Sequence, residues 1–300
     1  MIKAFVQAAR LRTLPLAIAS ISTGSVLASF FYEHDWRITT LALTTAILLQ
    51  VLSNFANDYG DFKKGTDDQT RTDRALASGA LSEIQMCNAL VITSILTLVC
   101  GIMLLWLALD SIEIQFLIFF IIGLVSIGAA IKYTAGKNPY GYSTLGDLAV
   151  FVFFGLVAVL GTYYLHVLKF DHGFYQSIWP ASGVGLLATG VLNINNIRDI
   201  EGDRKNGKIT LAAKLGKKRA EGYQLILNIT AVGLIVYFVR VSTAHDGLLI
   251  ALVGLLFLGH WIGLRGLDNT TKNRSKYNAL LKFHVLLTLV MVVTVAFILL

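Results

Sequence analysis

Nine apolar stretches run through this 300-residue sequence, each about the 20 residues a helix needs to cross the hydrocarbon core of a bilayer. They lie at roughly 14–32, 38–56, 88–109, 113–131, 147–168, 175–195, 221–241, 246–264 and 279–300. Between them the charged residues gather in short clusters. Only 14% of the chain is charged, against about 25% in soluble globular proteins, and the mean hydropathy is +0.68. A disordered chain, a nucleic-acid-binding arm and a soluble α/β enzyme are excluded by this distribution. The expected fold is an all-α polytopic membrane protein of nine transmembrane helices, with residues 1–300 forming one integral-membrane domain. The opening segment MIKAFVQAARLR alternates basic and apolar positions and reads as a helix lying at the interface rather than a cleavable leader. Cys87 and Cys100 sit in or beside one apolar run and read as buried thiols, not a disulfide framework.

Orientation follows from Lys and Arg, which resist translocation. With nine spans, 22 of the 25 basic residues fall on the side of the N-terminus and the 57–86, 132–146, 196–220 and 265–282 loops. Only Arg37, Lys169 and Arg240 fall on the other. One missed span would mix the two sets. The N-terminus and the long loops are therefore expected in the cytoplasm. The cytoplasmic side then carries a net charge of +10 and the external side −3, so the overall +7 is mostly topology and calls for no nucleic-acid partner.

Two of these loops match. The first reads Asn54-Phe-Ala-Asn57-Asp58-Tyr-Gly-Asp61-Phe-Lys63-Lys-Gly65-Thr-Asp67, and the second Asn196-Ile-Arg198-Asp199-Ile-Glu201-Gly-Asp203-Arg204-Lys205-Asn-Gly207-Lys208. Shifted by 142 residues they share the frame Asn-x5-Gly-Asp-x-Lys-x-Gly, which an internally repeated bundle would give, with motif loops 54–86 and 196–220. On a helix, positions three and four apart share a face. Asn54, Asn57, Asp58 and Asp61 are therefore expected on one face, and Asn196, Asp199 and Asp203 on one face of the matching helix. Carboxylates crowded between two such faces repel each other unless a cation lies among them. Hard oxygen donors suit Mg²⁺, which commonly bridges one or two carboxylates to substrate phosphates. Nearby Lys and Arg would clamp the remaining phosphate oxygens. The pattern reads as a diphosphate site at the membrane edge, where a lipid tail can enter the bilayer.

Other motifs carry less. Gly202-x4-Gly207-Lys208 mimics a nucleotide P-loop, but Ile209 stands where Ser or Thr would hold the metal, and no strand precedes it. The six histidines show no metal-ligand spacing: His34, His172 and His245 fall in external loops, and His166, His260 and His284 read as packing residues near the interface. No Gly-x-Ser-x-Gly is present.

At these residues the chain resembles the UbiA-type superfamily of intramembrane aromatic prenyltransferases. Its Asn-Asp-x-x-Asp signature is matched by Asn57-Asp58-Tyr-Gly-Asp61, with Asp67 as the further acidic residue, and its Asp-x3-Asp signature by Asp199-Ile-Glu-Gly-Asp203. A recurrent Tyr-x3-Lys element is matched by Tyr133-Thr-Ala-Gly-Lys137, and Arg74-Ala-Leu-Ala-Ser78-Gly79 is similar to the family's Arg-Pro-Leu-x-Ser-Gly, with Ala75 where Pro is common. The tract Lys137-Asn-Pro-Tyr140-Gly-Tyr142, continuing through Leu145-Gly146-Asp147 to Gly161-Thr-Tyr163-Tyr164, resembles the branch that prenylates 1,4-dihydroxy-2-naphthoate in bacterial menaquinone synthesis.

The resemblance implies a nine-helix bundle with a cytoplasm-facing cavity in a bacterial inner membrane. It implies transfer of a polyprenyl group from polyprenyl diphosphate to 1,4-dihydroxy-2-naphthoate, yielding demethylmenaquinone, CO₂ and diphosphate. Mg²⁺ would be held by Asp58, Asp61, Asp67, Asp199 and Asp203, with Asn57, Tyr133 and Lys137 completing the catalytic set. Lys63, Arg74, Lys205 and Lys208 would neutralise the diphosphate. Tyr140 and Arg198, with Lys137, would orient the naphthoate, and Asp147 stands at a helix start as either a cap or a ligand. Membrane lipid is the remaining partner. Three rivals stand beside this reading. A secondary transporter would place its coupling residues at the bilayer midplane rather than its edge. A CDP-alcohol phosphotransferase would show Asp-Gly-x2-Ala-Arg, which is absent. A sister prenyltransferase would act on 4-hydroxybenzoate or another phenolic acid.

Overall fold

The computed structural model describes residues 1–66, 74–243, 248–267 and 274–300. Among the described residues there is no strand, and nine helices are long and apolar enough to cross a membrane, as the sequence pattern requires.

A short amphipathic helix, α1 (Ile2–Ala9), buries Ala4, Ala8 and Ala9 and leaves Met1, Ile2 and Val6 exposed. The chain then turns at Arg10, whose φ of 49° is left-handed, passes through a 3₁₀ turn (Leu11–Thr13), and enters α2 (Leu14–Phe31). Pro15 sits in the first turn of α2, where its missing N–H is not needed. Next come α3 (Trp36–Lys63), α4 (Glu83–Leu109) and α5 (Ile114–Lys132). Asp35 caps α3 by accepting from the Arg37 N–H, and Ser82 with Gln85 forms a reciprocal capping box on α4. The fifth span is composite: α6 (Leu145–Val150), a π-helical stretch (Phe151–Leu160) and α7 (Gly161–Val167). It is followed by α8 (His172–Lys205), α9 (Leu211–Leu215), α10 (Lys217–Ser242), α11 (Leu248–Arg265) and α12 (Arg274–Leu299).

Two helices run well past the apolar stretches that announce them. The second and sixth stretches end near residues 56 and 195, yet α3 continues to Lys63 and α8 to Lys205. Polar side chains end the hydropathy signal, but the backbone stays helical until a glycine stops it. Both motifs are thus carried on rigid helix overhangs.

The helix α8 is the hub of the bundle, packed by α10, α2, α12 and the π-helical stretch. Glycines make this possible, because small residues let backbones approach in a membrane bundle. A Cβ on Gly155 would lie 2.7 Å from the Ala181 carbonyl oxygen and 2.8 Å from Gly185 Cα, and one on Gly185 would lie 2.8 Å from the Phe151 carbonyl oxygen. The π-helical stretch therefore rests backbone to backbone on α8. By contrast α5 buries only Ser126 and turns apolar residues such as Leu117 and Ile121 outward, where lipid would cover them. His260 and His284 are packing residues, as expected. Both are buried, with ring centroids 4.9 Å apart, between α11 and α12.

Replacing Gly185 with Val should force the π-helical stretch off α8 and destabilise the protein by about 1–3 kcal/mol, the usual penalty of overpacking. Thermal unfolding in detergent micelles, with the midpoint compared with wild type, checks this. An unchanged midpoint would mean that the two backbones can separate freely.

Candidate active site

The two motif helices end in the same cap. At the end of α3, Gly65 takes φ 67°, its N–H bonds to the Phe62 carbonyl, and the Thr66 N–H bonds to the Asp61 carbonyl at 3.0 Å. At the end of α8, Gly207 takes φ 69°, its N–H bonds to the Arg204 carbonyl, and the Lys208 N–H bonds to the Asp203 carbonyl at 2.8 Å. Both are Schellman motifs, which favour glycine at the left-handed position. The glycine of the repeated frame is therefore the helix stop, and the aspartate four residues earlier is held in the last turn. The ends meet where Asn206 Nδ2 donates to the Thr66 carbonyl at 3.4 Å.

Asp61 and Asp203 thus sit at helix C-termini, where the backbone dipole disfavours negative charge. Each has cationic or hydroxyl compensation. Asp61 accepts from the Tyr142 hydroxyl at 2.9 Å and faces Arg74 at 3.5 Å. Asp203 faces Lys208 at 3.9 Å through Oδ1, while its buried Oδ2 has no hydrogen-bond partner among the described residues. Asp199 is held by Arg198 at 2.5 Å. All three aspartates line one polar cavity of about 340 Å³, together with Asn57, Asn196, Arg74, Lys205 and Lys208. Among the described residues no three His, Cys, Asp or Glu side chains close to metal-ligand spacing. The protein therefore offers an incomplete oxygen set with one uncompensated carboxylate oxygen, which fits a divalent cation that also binds substrate oxygens and water.

Several expected residues lie elsewhere. Asp58 lines neither cavity: it is buried, and its Oδ2 accepts from the Ala75 N–H at 3.1 Å, anchoring the turn that carries Arg74. It stands one position, about 100° of helix rotation, past Asn57, and its carboxylate is taken up by the turn at residues 74–75 rather than by the cavity wall. Lys63 is exposed and paired with Glu83 outside the cavity, and Lys137 is exposed beyond the end of α5. Arg198 lines the cavity, but its guanidinium also donates to Asn195 and Asn278 at 2.6 Å each, so it braces α8 against α12. Asp147 is buried in the first turn of α6 without capping it. Asp67 lies outside the described residues.

A second cavity of about 650 Å³ adjoins the first and is lined mainly by apolar side chains, including Phe153, Phe154 and Leu156 of the π-helical stretch. Five residues line both cavities: Arg10, Asn57, Tyr133, Leu192 and Asn195. Tyr133 and Tyr140 stand edge to face at this junction, 5.3 Å between centroids, and the Tyr140 hydroxyl donates to the Ala129 carbonyl at 2.8 Å. Burial pushes the Tyr140 phenol up to about 12 and raises that of Tyr133 further, with nearby carboxylates adding to the shift. Both rings therefore remain neutral and protonated. Asn57 is fixed by a hydrogen bond from Thr134, which reaches it because Gly60 lets α3 pass against the Thr134 backbone; a Cβ there would lie 2.6 Å from the Thr134 carbonyl oxygen.

Tyr142 and Arg10 are site residues that motif spacing misses. Tyr142 bolts the two motif ends together: its hydroxyl binds Asp61, its carbonyl accepts from the Ile209 N–H at 3.0 Å, and Lys64 and Lys208 lie over its ring. The only sequence signal was its membership of the Lys137–Tyr142 tract. In the sequence pattern Arg10 is one of the basic residues of the interfacial opening segment.

Comparison with known proteins places this geometry in a family. Residues 17–288 match the model of the UbiA prenyltransferase family. The chain is 42% identical over 266 residues to the 1,4-dihydroxy-2-naphthoate octaprenyltransferase of Haemophilus influenzae, covering 87% of this chain and 85% of that one. Its fold is similar to that of a UbiA homolog from Aeropyrum pernix, with a TM-score of 0.69 at 18% identity over 95% of this chain and 96% of the other. It is also similar to a UbiA homolog from Archaeoglobus fulgidus bound to GPP and Mg²⁺, with a TM-score of 0.58 at 14% identity over 97% and 99% of the two chains. With the family model matching most of its length, the chain belongs to the UbiA prenyltransferase family.

Proposed function

We propose that this protein transfers a polyprenyl group from polyprenyl diphosphate to 1,4-dihydroxy-2-naphthoate, with loss of CO₂. The observation that carries the reading is the junction itself: an acidic and basic cavity that shares five lining residues with a large, mainly apolar one. A substrate with a diphosphate head and a hydrocarbon tail matches both halves at once. The similarity to the H. influenzae naphthoate octaprenyltransferase supplies the acceptor.

Asp61, Asp199 and Asp203, with Asn57, would hold Mg²⁺. When bound, this ion draws charge from the departing diphosphate. Arg74, Lys205 and Lys208 line the same cavity and would bind the remaining anionic oxygens. The allylic C–O bond breaks with its electron pair leaving on the diphosphate. The apolar walls keep water from the resulting cation. Tyr133 and Tyr140 present neutral aromatic rings at the junction, each worth about 0.5–2 kcal/mol to a cation over its face. The ring carbon bearing the carboxylate then forms the new C–C bond. Cleavage of the carboxylate bond restores aromaticity and gives CO₂ and the quinol form of demethylmenaquinone. The basic face, which carries the N-terminus and the site, is cytoplasmic, and the membrane is a bacterial inner membrane; the 22-to-3 partition of basic residues supports this. Residues 1–300 act as one integral-membrane domain.

The direct test offers purified protein, Mg²⁺ and a polyprenyl diphosphate either 1,4-dihydroxy-2-naphthoate or 4-hydroxybenzoate. Prenylated naphthoquinol and CO₂ are expected; turnover of the benzoate alone would transfer the assignment to a sister activity. Asp61→Asn, Asp199→Asn and Asp203→Asn should each lower Mg²⁺-dependent turnover by about 10²–10³-fold, the rate equivalent of several kcal/mol of lost charge stabilisation. Lys63→Ala and Lys137→Ala, exposed and remote from both cavities, should stay within about threefold of wild type. Tyr142→Phe, which removes a hydroxyl donor from Asp61, should slow turnover by about tenfold, as expected for one hydrogen bond to a charged acceptor. A Tyr142→Phe enzyme with unaltered kcat would show that the bolt is dispensable.

A further inference from the structure

We propose that Arg10 is the anchor for the carboxylate of the aromatic acceptor, held in place by Asn54 from α3; this rests on the aromatic prenyl-transfer reading above. Arg10 is the one cationic side chain, among the described residues, that lines both cavities. Arg74, Lys205 and Lys208 line only the polar cavity, and Arg12 only the apolar one. The new C–C bond must form where the two meet, because the diphosphate belongs to one cavity and the prenyl tail to the other. The acceptor therefore lies at the junction, and its planar carboxylate meets there the one side chain shaped to grip it with two parallel N–H bonds.

The backbone around Arg10 is built to aim it. Its φ of 49° is left-handed, an uncommon conformation for a non-glycine residue, and it ends α1 at a corner that neighbouring side chains hold. Those side chains come mainly from α3. Asn54 Nδ2 donates to the Ala9 carbonyl at 2.8 Å and to Thr13 Oγ1 at 3.0 Å. Gln50 Nε2 also donates to Thr13 Oγ1, and the Thr13 hydroxyl donates to the Arg10 carbonyl at 3.0 Å. Asn54 is 3% exposed and spends its amide wholly on the corner between α1 and α2. The first residue of the repeated frame is thus a positioning residue for Arg10 rather than a ligand. Arg198, one of the residues to which the resemblance gives the acceptor, is instead braced by Asp199, Asn195 and Asn278.

The test is steady-state kinetics of the purified full chain with 1,4-dihydroxy-2-naphthoate and with naphthalene-1,4-diol, the same ring without the carboxylate. Arg10→Gln should raise KM for the naphthoate by about 10–100-fold, the equivalent of one charge-assisted contact, while KM for polyprenyl diphosphate stays within about twofold. The unchanged donor KM also reports that the variant is folded. Arg10→Lys should recover part of the loss, and Asn54→Leu should reproduce a smaller rise in the same acceptor KM. With naphthalene-1,4-diol the Arg10→Gln and wild-type enzymes should converge, since the group that Arg10 holds is missing. A rise in donor KM instead would make Arg10 a diphosphate clamp and overturn the proposal, as would an equal penalty with both acceptors. A wild-type enzyme that prenylates neither naphthalene acceptor would overturn the reading beneath it, an outcome distinct from either of these.

Discussion

Everything at the active end of this bundle answers one electrostatic problem: two helices point their C-termini, each bearing an aspartate in the last turn, toward the same small space. Helix dipole and carboxylate charge add with the same sign there. The arrangement is tolerable only with cations nearby. Arg74 and Lys208 supply part of the compensation from the loops that follow the helices. The buried Oδ2 of Asp203 remains without a partner among the described residues. A site that its own side chains leave under-compensated is poised to bind a cation and its diphosphate together, since neither alone satisfies both the carboxylates and the surrounding lysines and arginines.

The repeated frame read in the sequence is explained by this geometry, down to its spacing. Gly65 and Gly207 stop the helices, the aspartates at 61 and 203 offer their carbonyls to the caps, and their side chains remain on the cavity wall. Number and approximate limits of the spans were legible, because a bilayer demands long apolar runs whatever the tertiary packing. Part of the motif faces was legible too: Asn57 and Asp61 of the first and Asn196, Asp199 and Asp203 of the second line the cavity as helical periodicity predicts. What periodicity does not encode is rotation about the helix axis relative to neighbours, and so Asp58 and Asp61 could not be separated. The same gap hid Tyr142. Its importance comes from a backbone bond to Ile209 and a hydroxyl bond to Asp61, contacts spanning 67 and 81 residues of chain that no local pattern announces. Lys63 and Lys137 illustrate the converse: correct spacing and charge, but side chains that leave the site for solvent or for Glu83.

The apolar half of the site depends on a different device. A π-helical stretch is uncommon and tends to mark functional positions, and here it runs for ten residues, Phe151–Leu160. Its Gly155 lies against Gly185 of α8, while Phe153, Phe154, Leu156 and Val157 line the larger cavity. The stretch thus has one backbone face locked to the most buried helix and one side-chain face shaping the room for a hydrocarbon tail. Hydropathy reads this segment only as one more span, because a π turn and an α turn bury apolar residues alike.

Asp58 shows how a charged residue can serve the site without entering it. A buried carboxylate is costly unless it is bonded; this one receives the Ala75 N–H on Oδ2, while its buried Oδ1 has no hydrogen-bond partner among the described residues. That bond fixes the turn beginning at Arg74, and Arg74 in turn faces Asp61 across 3.5 Å. The two acidic residues of the first motif therefore act in series: one organises the loop that delivers a cation, and the other meets that cation at the cavity wall. Near neighbours in sequence are thus divided into a carboxylate that holds a turn and a carboxylate that lines the cavity. The cation between them need not be carried on α3, and so it can reach a position that no residue of the helix itself could occupy.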